Sequence, residues 1–168
     1  MRPIAIAHDP RLPGWWAKLR LFDPSLGVRG RILYLDLDTL VVGSLAALAE
    51  TPTPFVTIED RDSQFHPPQR QVIKRFNSSV MAFDAGVYAD LWTAWSPGVA
   101  ERLWGDQDWL AERHPESQVW PAAWFPRISS LTSAGALPPA ATVILVKKPK
   151  NEVVADQWPW FNAIWRAA

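Results

Sequence analysis

Asp36 and Asp38 are separated by one residue and directly follow the apolar run of residues 32–35. In an extended strand, residues two apart point to the same side, so this spacing predicts that both carboxylates face one site. Two like charges at the end of a buried strand are costly unless a divalent metal or a basic side chain lies between them. Carboxylate oxygens favour Mg²⁺ or Mn²⁺, which bind one or two carboxylates together with substrate phosphates. Alternatively, the two residues have a purely structural role, in which one Asp caps a turn and the other pairs with an arginine.

Two kinds of enzyme place an Asp-x-Asp sequence after an apolar strand. Residues 36–40, Asp-Leu-Asp-Thr-Leu, resemble the motif of haloacid-dehalogenase-type phosphatases, in which Asp36 would be the nucleophile and Asp38 a general acid and base. In a glycosyltransferase of the GT-A fold, the pair instead holds a divalent ion that bridges the diphosphate of a nucleotide sugar. The aspartates alone are compatible with both classes.

The elements that must position these residues alternate along the chain. Apolar runs predict strands at residues 4–7, 32–35, 55–58, 79–83, 127–131 and 142–146. Three-residue spacing of apolar side chains and helix-capping residues predict helices at residues 16–22, 45–50, 87–95 and 107–113. Strands that alternate with helices indicate a single α/β domain, residues 1–168, with its functional residues at strand ends.

Composition excludes several classes of function. The 168 residues include 17 Lys+Arg and 17 Asp+Glu, so the net charge is zero, and there is no basic stripe that would indicate a nucleic-acid partner. No apolar run reaches the roughly 18 residues of a membrane span. The absence of Cys excludes disulfides, thiolate zinc sites and a cysteine nucleophile. Because no secretory signal is recognisable at the start, we expect a cytoplasmic protein.

Downstream motifs discriminate between the two enzyme classes. Residues 14–22 and 32–39 resemble the segment that leads to the metal motif in glycosyltransferase family 8, which includes glycogenin-like and lipopolysaccharide-galactosyltransferase-like enzymes. Residues 76–81, Phe-Asn-Ser-Ser-Val-Met, resemble the family's F-N-S-G-V-M strand, with Ser79 in place of the glycine. Residues 105–110, Gly-Asp-Gln-Asp-Trp-Leu, resemble its D-Q-D segment. Three motifs in the right order favour this family over the phosphatase.

The resemblance implies a fold, an activity and a cofactor. The fold would be of GT-A type, a Rossmann-like mixed sheet flanked by helices. The activity would be transfer of a hexose from a UDP-sugar to an acceptor, with retention of configuration and with Mn²⁺ or Mg²⁺ held by Asp36 and Asp38. A metal and cations would neutralise the charge that builds on the departing diphosphate oxygen.

The resemblance also assigns roles to individual residues. Lys18 and Arg20 would lie near the diphosphate or the sugar of the donor, and Asn77 and Ser78 would border the transferred sugar. Asp106 and Gln107 would lie beside the reacting anomeric carbon and would hydrogen-bond to the sugar hydroxyls.

Each of these residues also has an ordinary structural interpretation. Asn77 could be a turn residue, and Asp106 could be the N-cap of the helix that follows. Gln107 would then be a first-turn polar residue favoured by the helix dipole, and Lys18 and Arg20 would lie on a solvated helix face.

The chain departs from the family pattern near its C-terminus. The family supplies a third metal ligand, a His, in a segment resembling H-G-x-P-K-P. Residues 146–150 match that segment with Val146 at the His position and Lys147 at the glycine position. We therefore expect weaker metal binding, partly offset by Lys147, Lys148 and Lys150 as phosphate-binding charges.

A second departure lies at the front of the chain. Only 35 residues precede Asp36. We therefore expect this chain to lack part of the nucleotide-binding half that precedes the acidic pair in the family. A sheet that lacks edge partners favours a homodimer. Together the two departures keep open a further alternative, a non-catalytic binding or assembly module.

Overall fold

The computed structural model of the chain is built around a mixed β-sheet and describes residues 6–7, 9–61, 70–131, 137–146 and 161. The strands are β1 (Arg31–Leu35), β2 (Thr39–Val41), β3 (Phe55–Glu59), β4 (Phe76–Asp84), β5 (Gln118–Val119) and β6 (Val143–Leu145). The α-helices are α1 (Ala46–Ala49), α2 (Asp90–Thr93), α3 (Pro97–Arg102), α4 (Asp106–Arg113) and α5 (Ile128–Leu131). The 3₁₀ helices span Gly14–Phe22, Pro24–Leu26 and Ala122–Trp124.

Within the described residues, the main sheet has the strand order β1-β4-β3-β5, and β2 and β6 form a separate two-stranded sheet. Strand β4 is antiparallel to both β1 and β3, whereas β3 and β5 are parallel. The chain is therefore a mixed α/β structure, as the alternation of patterns predicted.

Successive side chains of β4 point to opposite sides of the main sheet, and a core cluster covers each side. Met81 and Phe83 lie in a core cluster that the Gly14–Phe22 helix and α4 complete. Val80 and Ala82 lie in the cluster on the opposite face. No helix in the described part of the chain has the length and apolar character that crossing a membrane requires.

The sequence patterns failed at two elements. Residues 127–131 were predicted as a strand, but Ile128–Leu131 is the helix α5, and Arg127 contributes only an isolated bridge to Leu145. Ile128 and Leu131 are both buried at a spacing of three residues, which is helical; a short apolar run does not distinguish helix from strand. The argument from the acidic pair assumed a buried strand at residues 32–35, but every residue of β1 is half-buried and β1 pairs with β4 alone among the described strands.

The predicted strand at residues 4–7 falls mostly outside the described residues. Of the residues 87–95 that were predicted to form a helix, only Asp90–Thr93 is helical. The strands expected near residues 55–58, 79–83 and 142–146 and the helix at 107–113 are confirmed.

An irregularity between β3 and β4 shapes the part of β4 that carries Asn77 and Ser78. The register shifts between Val56, which pairs with Ala82, and Ile58, which pairs with Asn77. The fully buried Thr57 hydroxyl lies 2.8 Å from the carbonyl oxygen of Asn77 and 3.0 Å from that of Val80, and its single proton is shared between these two acceptors. The Thr57 side chain thus holds together the extra length of β4, and bulges of this kind re-aim side chains.

Replacing Thr57 with valine tests this role. Valine keeps the shape but leaves buried carbonyl oxygens without a donor, which should cost about 1–3 kcal/mol of unfolding free energy in a denaturant titration. Thr57→Ser retains the hydroxyl and is the matched control. Equal destabilisation by valine and serine would show that the hydroxyl does not hold the bulge.

Candidate functional site

Side chains from four elements meet at the ammonium group of Lys18. Lys18 lies on the Gly14–Phe22 helix, and its side chain is 15% exposed. Its Nζ donates to Oδ2 of Asp36 at 3.0 Å and to Oγ of Ser78 at 3.1 Å. Because these residues are 18 and 60 positions away in sequence, the contacts exist only in the folded chain.

Asp36 also binds the hydroxyl of Tyr34, which donates to its Oδ1 at 2.7 Å. Burial, followed by this hydrogen bond, raises the pKa of Tyr34, so the phenol remains a donor at neutral pH. The Lys18 ammonium lies 5.8 Å from the centre of the Tyr34 ring. Sequence analysis did not single out Tyr34. It lies in β1 two residues before Asp36, which directly follows the strand, and that spacing is the signal that could have identified it.

The two aspartates lie in a turn and not in an extended strand. The Thr39 amide donates to the Asp36 carbonyl at 3.2 Å, and the Thr39 hydroxyl donates to the same oxygen at 2.6 Å. Leu37, inside the turn, is 99% exposed. The period-two argument for this pair is therefore wrong, although the charges of both carboxylates raise the pKa of Lys18.

Asp106, the first residue of α4, is buried at the same centre. Burial raises the pKa of the Asp106 carboxyl, and the charge of Lys18 and a hydrogen bond with Ser78 oppose that effect only in part. Gln107 follows at the helix start and is half-buried. Among the described residues, no hydrogen bond involves the Gln107 side chain, so its amide can bind a ligand.

The centre carries more negative than positive charge. Burial alone would lower the pKa of Lys18, but the carboxylates of Asp106, Asp36 and Asp38 outweigh burial and raise it. Lys18 is therefore protonated and positively charged at neutral pH. With one ammonium among several carboxylates, the centre attracts a further cation and would repel a diphosphate that arrived without one.

Carboxylate oxygens are the ligands that a hard divalent cation prefers. Within the described ranges, no hydrogen bond involves the Asp38 carboxylate, and Asp36 lies beside it. No group of three or more His, Asp or Glu side chains in those ranges could hold a metal on its own. Mg²⁺ and Mn²⁺ tolerate such a site, because phosphate oxygens and water complete their coordination.

Other residues that the sequence singled out have structural roles. Arg20 forms an ion pair with Asp23, and its guanidinium lies 5.0 Å from the centre of the Trp92 ring, so its contacts point away from Asp36. The Asn77 carboxamide accepts a hydrogen bond from the Ser79 amide at 2.8 Å, which leaves its NH₂ group for other partners. Lys147 and Lys150 lie outside the described residues.

Asp108 fixes the start of α4. It is fully buried, and its Oδ2 accepts a hydrogen bond from the Gly105 amide at 3.1 Å while its Oδ1 accepts one from the Ile73 amide at 2.7 Å. The carboxylate thereby satisfies the backbone donor that precedes the helix, as capping side chains do. Asp108 positions Asp106 and Gln107 from inside the core.

Two tryptophans form a wall beside the start of α4. The Trp15 indole donates to the Trp104 carbonyl at 3.0 Å, and the two ring centres are 5.1 Å apart. Trp15 remains 48% exposed and lies one helical turn before Lys18. A β-carbon added to Gly105 would lie 3.2 Å from the Trp15 Nε1, so a glycine at this position allows the close approach.

Comparisons with known proteins place the fold. No protein-family model and no curated sequence matches the chain. The glycosyltransferase GlyE of Streptococcus pneumoniae TIGR4 matches with a TM-score of 0.54 and 18% identity over 88% of this chain and 42% of GlyE. The galactosyltransferase LgtC, solved with donor and acceptor sugar analogues, matches with a TM-score of 0.49 and 14% identity over 71% of this chain and 53% of LgtC.

The likeness to GlyE confirms the predicted fold, a GT-A-type mixed sheet flanked by helices. The chain spans about half the length of LgtC and about two-fifths of GlyE. Membership of family 8 stays a prediction.

Asp106→Asn should stabilise the metal-free protein at neutral pH. The folded state raises the Asp106 pKa, so the ionised carboxylate opposes folding, and stability falls as pH rises through the folded-state pKa. Asparagine has no charge to bury. Its advantage over the parent, measured by thermal unfolding in EDTA, should disappear below the unfolded-state pKa near 4. An asparagine variant less stable than the parent at pH 7 would contradict this account.

Lys18→Met should have the opposite effect. The methionine keeps the packing of the aliphatic stem but leaves Asp36 and Asp106 without their cation, which should cost on the order of 3 kcal/mol of unfolding free energy in urea at pH 7. The loss should be smaller in the Lys18→Met, Asp106→Asn double variant. Additive effects of the two substitutions would show that the groups do not interact.

Proposed function

We propose that this chain is a hexosyltransferase domain that uses a nucleotide-sugar donor, with UDP as the nucleotide, and a divalent cation. The observation that carries the proposal is the centre formed by Lys18, Asp36, Ser78 and Asp106 on a GT-A-type fold. The fold alone does not identify a function. The residues at this centre, however, are those that the family 8 resemblance assigns to the donor site.

The Asp36 and Asp38 carboxylates would hold Mn²⁺ or Mg²⁺, whose chemistry is to neutralise charge on the departing diphosphate. Lys18 would place a second positive charge beside the same leaving group. Its hydrogen bonds to Asp36 and Ser78 fix the ammonium before the donor binds, so little reorganisation is needed when charge develops. Tyr34 keeps the Asp36 carboxylate in one orientation.

Recognition of the transferred sugar would involve Asp106, Gln107 and the free NH₂ group of Asn77. Carboxylate and amide groups hydrogen-bond to hydroxyls in defined directions, and Asp106 is held by burial and by its position on α4. Lys147, the residue after Val146, would add a cation near the diphosphate, because the Val146 amide donates to the Asp38 carbonyl at 2.9 Å. Lys150 would contribute in the same way. The acceptor would reach the sugar past the exposed face of Trp15.

The experiment measures thermal unfolding with Mn²⁺ alone, UDP alone and both together. UDP at about 100 times its dissociation constant should add roughly 2.7 kcal/mol to the free energy of unfolding, and the full shift should need both UDP and Mn²⁺. Asp36→Asn and Asp38→Asn should abolish it. Glu101→Gln, an exposed change on α3, is the matched control and should behave as the parent does.

A turnover assay separates the proposal from the alternatives. Release of UDP from a UDP-hexose, lost in Asp36→Asn, would support a transferase. Hydrolysis of an aryl phosphate with no UDP release would contradict it and indicate the phosphatase. If no ligand combination shifts unfolding and no activity appears, the domain by itself is not a transferase and the binding or assembly role is favoured.

A further inference from the structure

The indole of Trp15 lies beside the proposed donor site and is placed there by two segments of the chain. A 3₁₀ helix has three residues per turn, so Trp15 and Lys18 project from the same side of the Gly14–Phe22 helix. The Trp15 N–H donates to the Trp104 carbonyl at 3.0 Å, and Asp106 follows two residues later in the chain. Both segments therefore bring the ring next to side chains that are proposed to bind the donor.

The part of Trp15 that a ligand can reach is carbon surface. The N–H edge of the indole is turned toward the backbone of Trp104 and Gly105, yet 48% of the residue is exposed. The Trp104 ring meets it at an angle of 58° and does not lie flat against it. Within the described part of the chain, no cation lies over the Trp15 ring. A fixed indole with accessible carbon surface suits the apolar C–H face of a pyranose.

A guanidinium without an ion pair lies over the second tryptophan of this wall. Arg70 is exposed, and its Cζ lies 5.9 Å from the centre of the Trp104 ring. The neighbouring Gln71 donates its amide to the Arg102 carbonyl at 2.9 Å, and its own carbonyl accepts from the Trp104 amide at 3.1 Å. These backbone bonds hold Arg70 next to Trp104. Among the described residues, the Arg70 side chain forms no hydrogen bond and no ion pair.

Arg70 differs in this respect from Arg102, whose guanidinium is paired with Glu112. The Arg70 guanidinium can therefore bind an anionic group without breaking an ion pair, and hydrogen bonds between charged groups are the stronger kind. The carboxylates of the proposed donor site repel an anion. A ligand that carries a negative charge would thus place its neutral part on Trp15 and its charged part on Arg70.

We propose that Trp15 and Arg70 form the acceptor subsite, and that the acceptor is a pyranoside with an anionic group, either a phosphate or a carboxylate. The pyranose packs its C–H face on Trp15, and the anionic oxygens accept hydrogen bonds from the Arg70 guanidinium. Both residues lie against the Trp104 ring, so a sugar with a charged substituent can contact both. The acceptor role rests on the proposed function, whereas the binding of the sugar does not.

The test titrates small sugars into the full chain without donor, at low ionic strength, and follows the indole ¹H–¹⁵N resonances. The resonance that is lost in Trp15→Phe identifies Trp15. The probes are methyl α-D-glucopyranoside, D-glucose 6-phosphate and D-glucuronate, the corresponding galactose series, and inorganic phosphate. At least one anionic sugar should move the Trp15 resonance with saturation and bind at least tenfold more tightly than its neutral counterpart and than inorganic phosphate, because it alone engages both groups.

Variants of Arg70 test the charged contact. Arg70→Gln should weaken binding of the anionic sugar about tenfold and leave that of the neutral glycoside unchanged. Arg70→Lys should weaken it less, because it keeps the charge but not the paired N–H groups. Arg29→Gln, at another exposed arginine, is the matched control and should bind as the parent does.

Variants of Trp15 test the stacking contact, with binding followed on the Trp104 resonance. Trp15→Ala should weaken binding of the anionic sugar at least tenfold, and Trp15→Phe, which keeps an aromatic ring, should weaken it less. Trp124→Phe, in the cluster on the opposite face of the sheet, is the control for the loss of an indole and should bind as the parent does.

The inference is overturned if no anionic sugar binds more tightly than its neutral counterpart and inorganic phosphate, or if the Arg70→Gln or Trp15→Ala variant binds as the parent does. The thermal shift with UDP and Mn²⁺ reports separately on the proposed function and should persist in Arg70→Gln. If the parent shows no such shift, the proposed function and the acceptor role both fail, whereas sugar binding that depends on Trp15 and Arg70 would remain.

Discussion

The ammonium of Lys18 among the carboxylates of Asp36, Asp38 and Asp106 is the interaction on which the site depends. It joins the Gly14–Phe22 helix to the turn after β1, to β4 and to α4. The burial that makes these charges costly also makes their mutual attraction strong, because the interior screens charge poorly. One cation among several anions favours binding of a second cation at this centre, and in the proposed function that cation would offset the negative charge of a nucleotide sugar.

Buried backbone hydrogen bonds hold the parts of this centre at their positions. Thr57 closes the bulge that presents Ser78, and Asp108 ties the start of α4 to Gly105 and to the segment at Ile73. These side chains touch no substrate in the proposed mechanism. They fix the geometry with hydrogen bonds inside the core, where the loss of a bond costs much unfolding free energy. Contacts in the core thus position the residues that face solvent at the site.

The Gly14–Phe22 helix contributes differently on its two sides. Its 3₁₀ geometry directs Lys18 to the charged centre and Trp16 to the ring of Trp95. Several tryptophans are distributed around the sheet: Trp15 contacts Trp104 beside the start of α4, Trp92 and Trp95 lie together near Arg11, and Trp120 lies in the core on the opposite face.

The sequence by itself determined the α/β class, the strand that precedes Asp36, the strand that carries Ser78, the helix at the start of which Asp106 lies and the acidic pair. These follow from local periodicity and motif spacing. It misjudged residues 127–131, where a short apolar run fits a strand or a helix, and it treated Arg20 and Lys18 alike. Only the tertiary structure decided that Arg20 pairs with Asp23 while Lys18 reaches Asp36, that Tyr34 orients Asp36, and that the acidic pair lies in a turn. The contact of Lys18 with Asp36 joins residues 18 positions apart, which no local pattern records. The contacts of Arg20, Tyr34 and the Asp36 turn are local, but each is one of several local arrangements that the sequence permits, and burial, which changes the energy of a charge, selects among them.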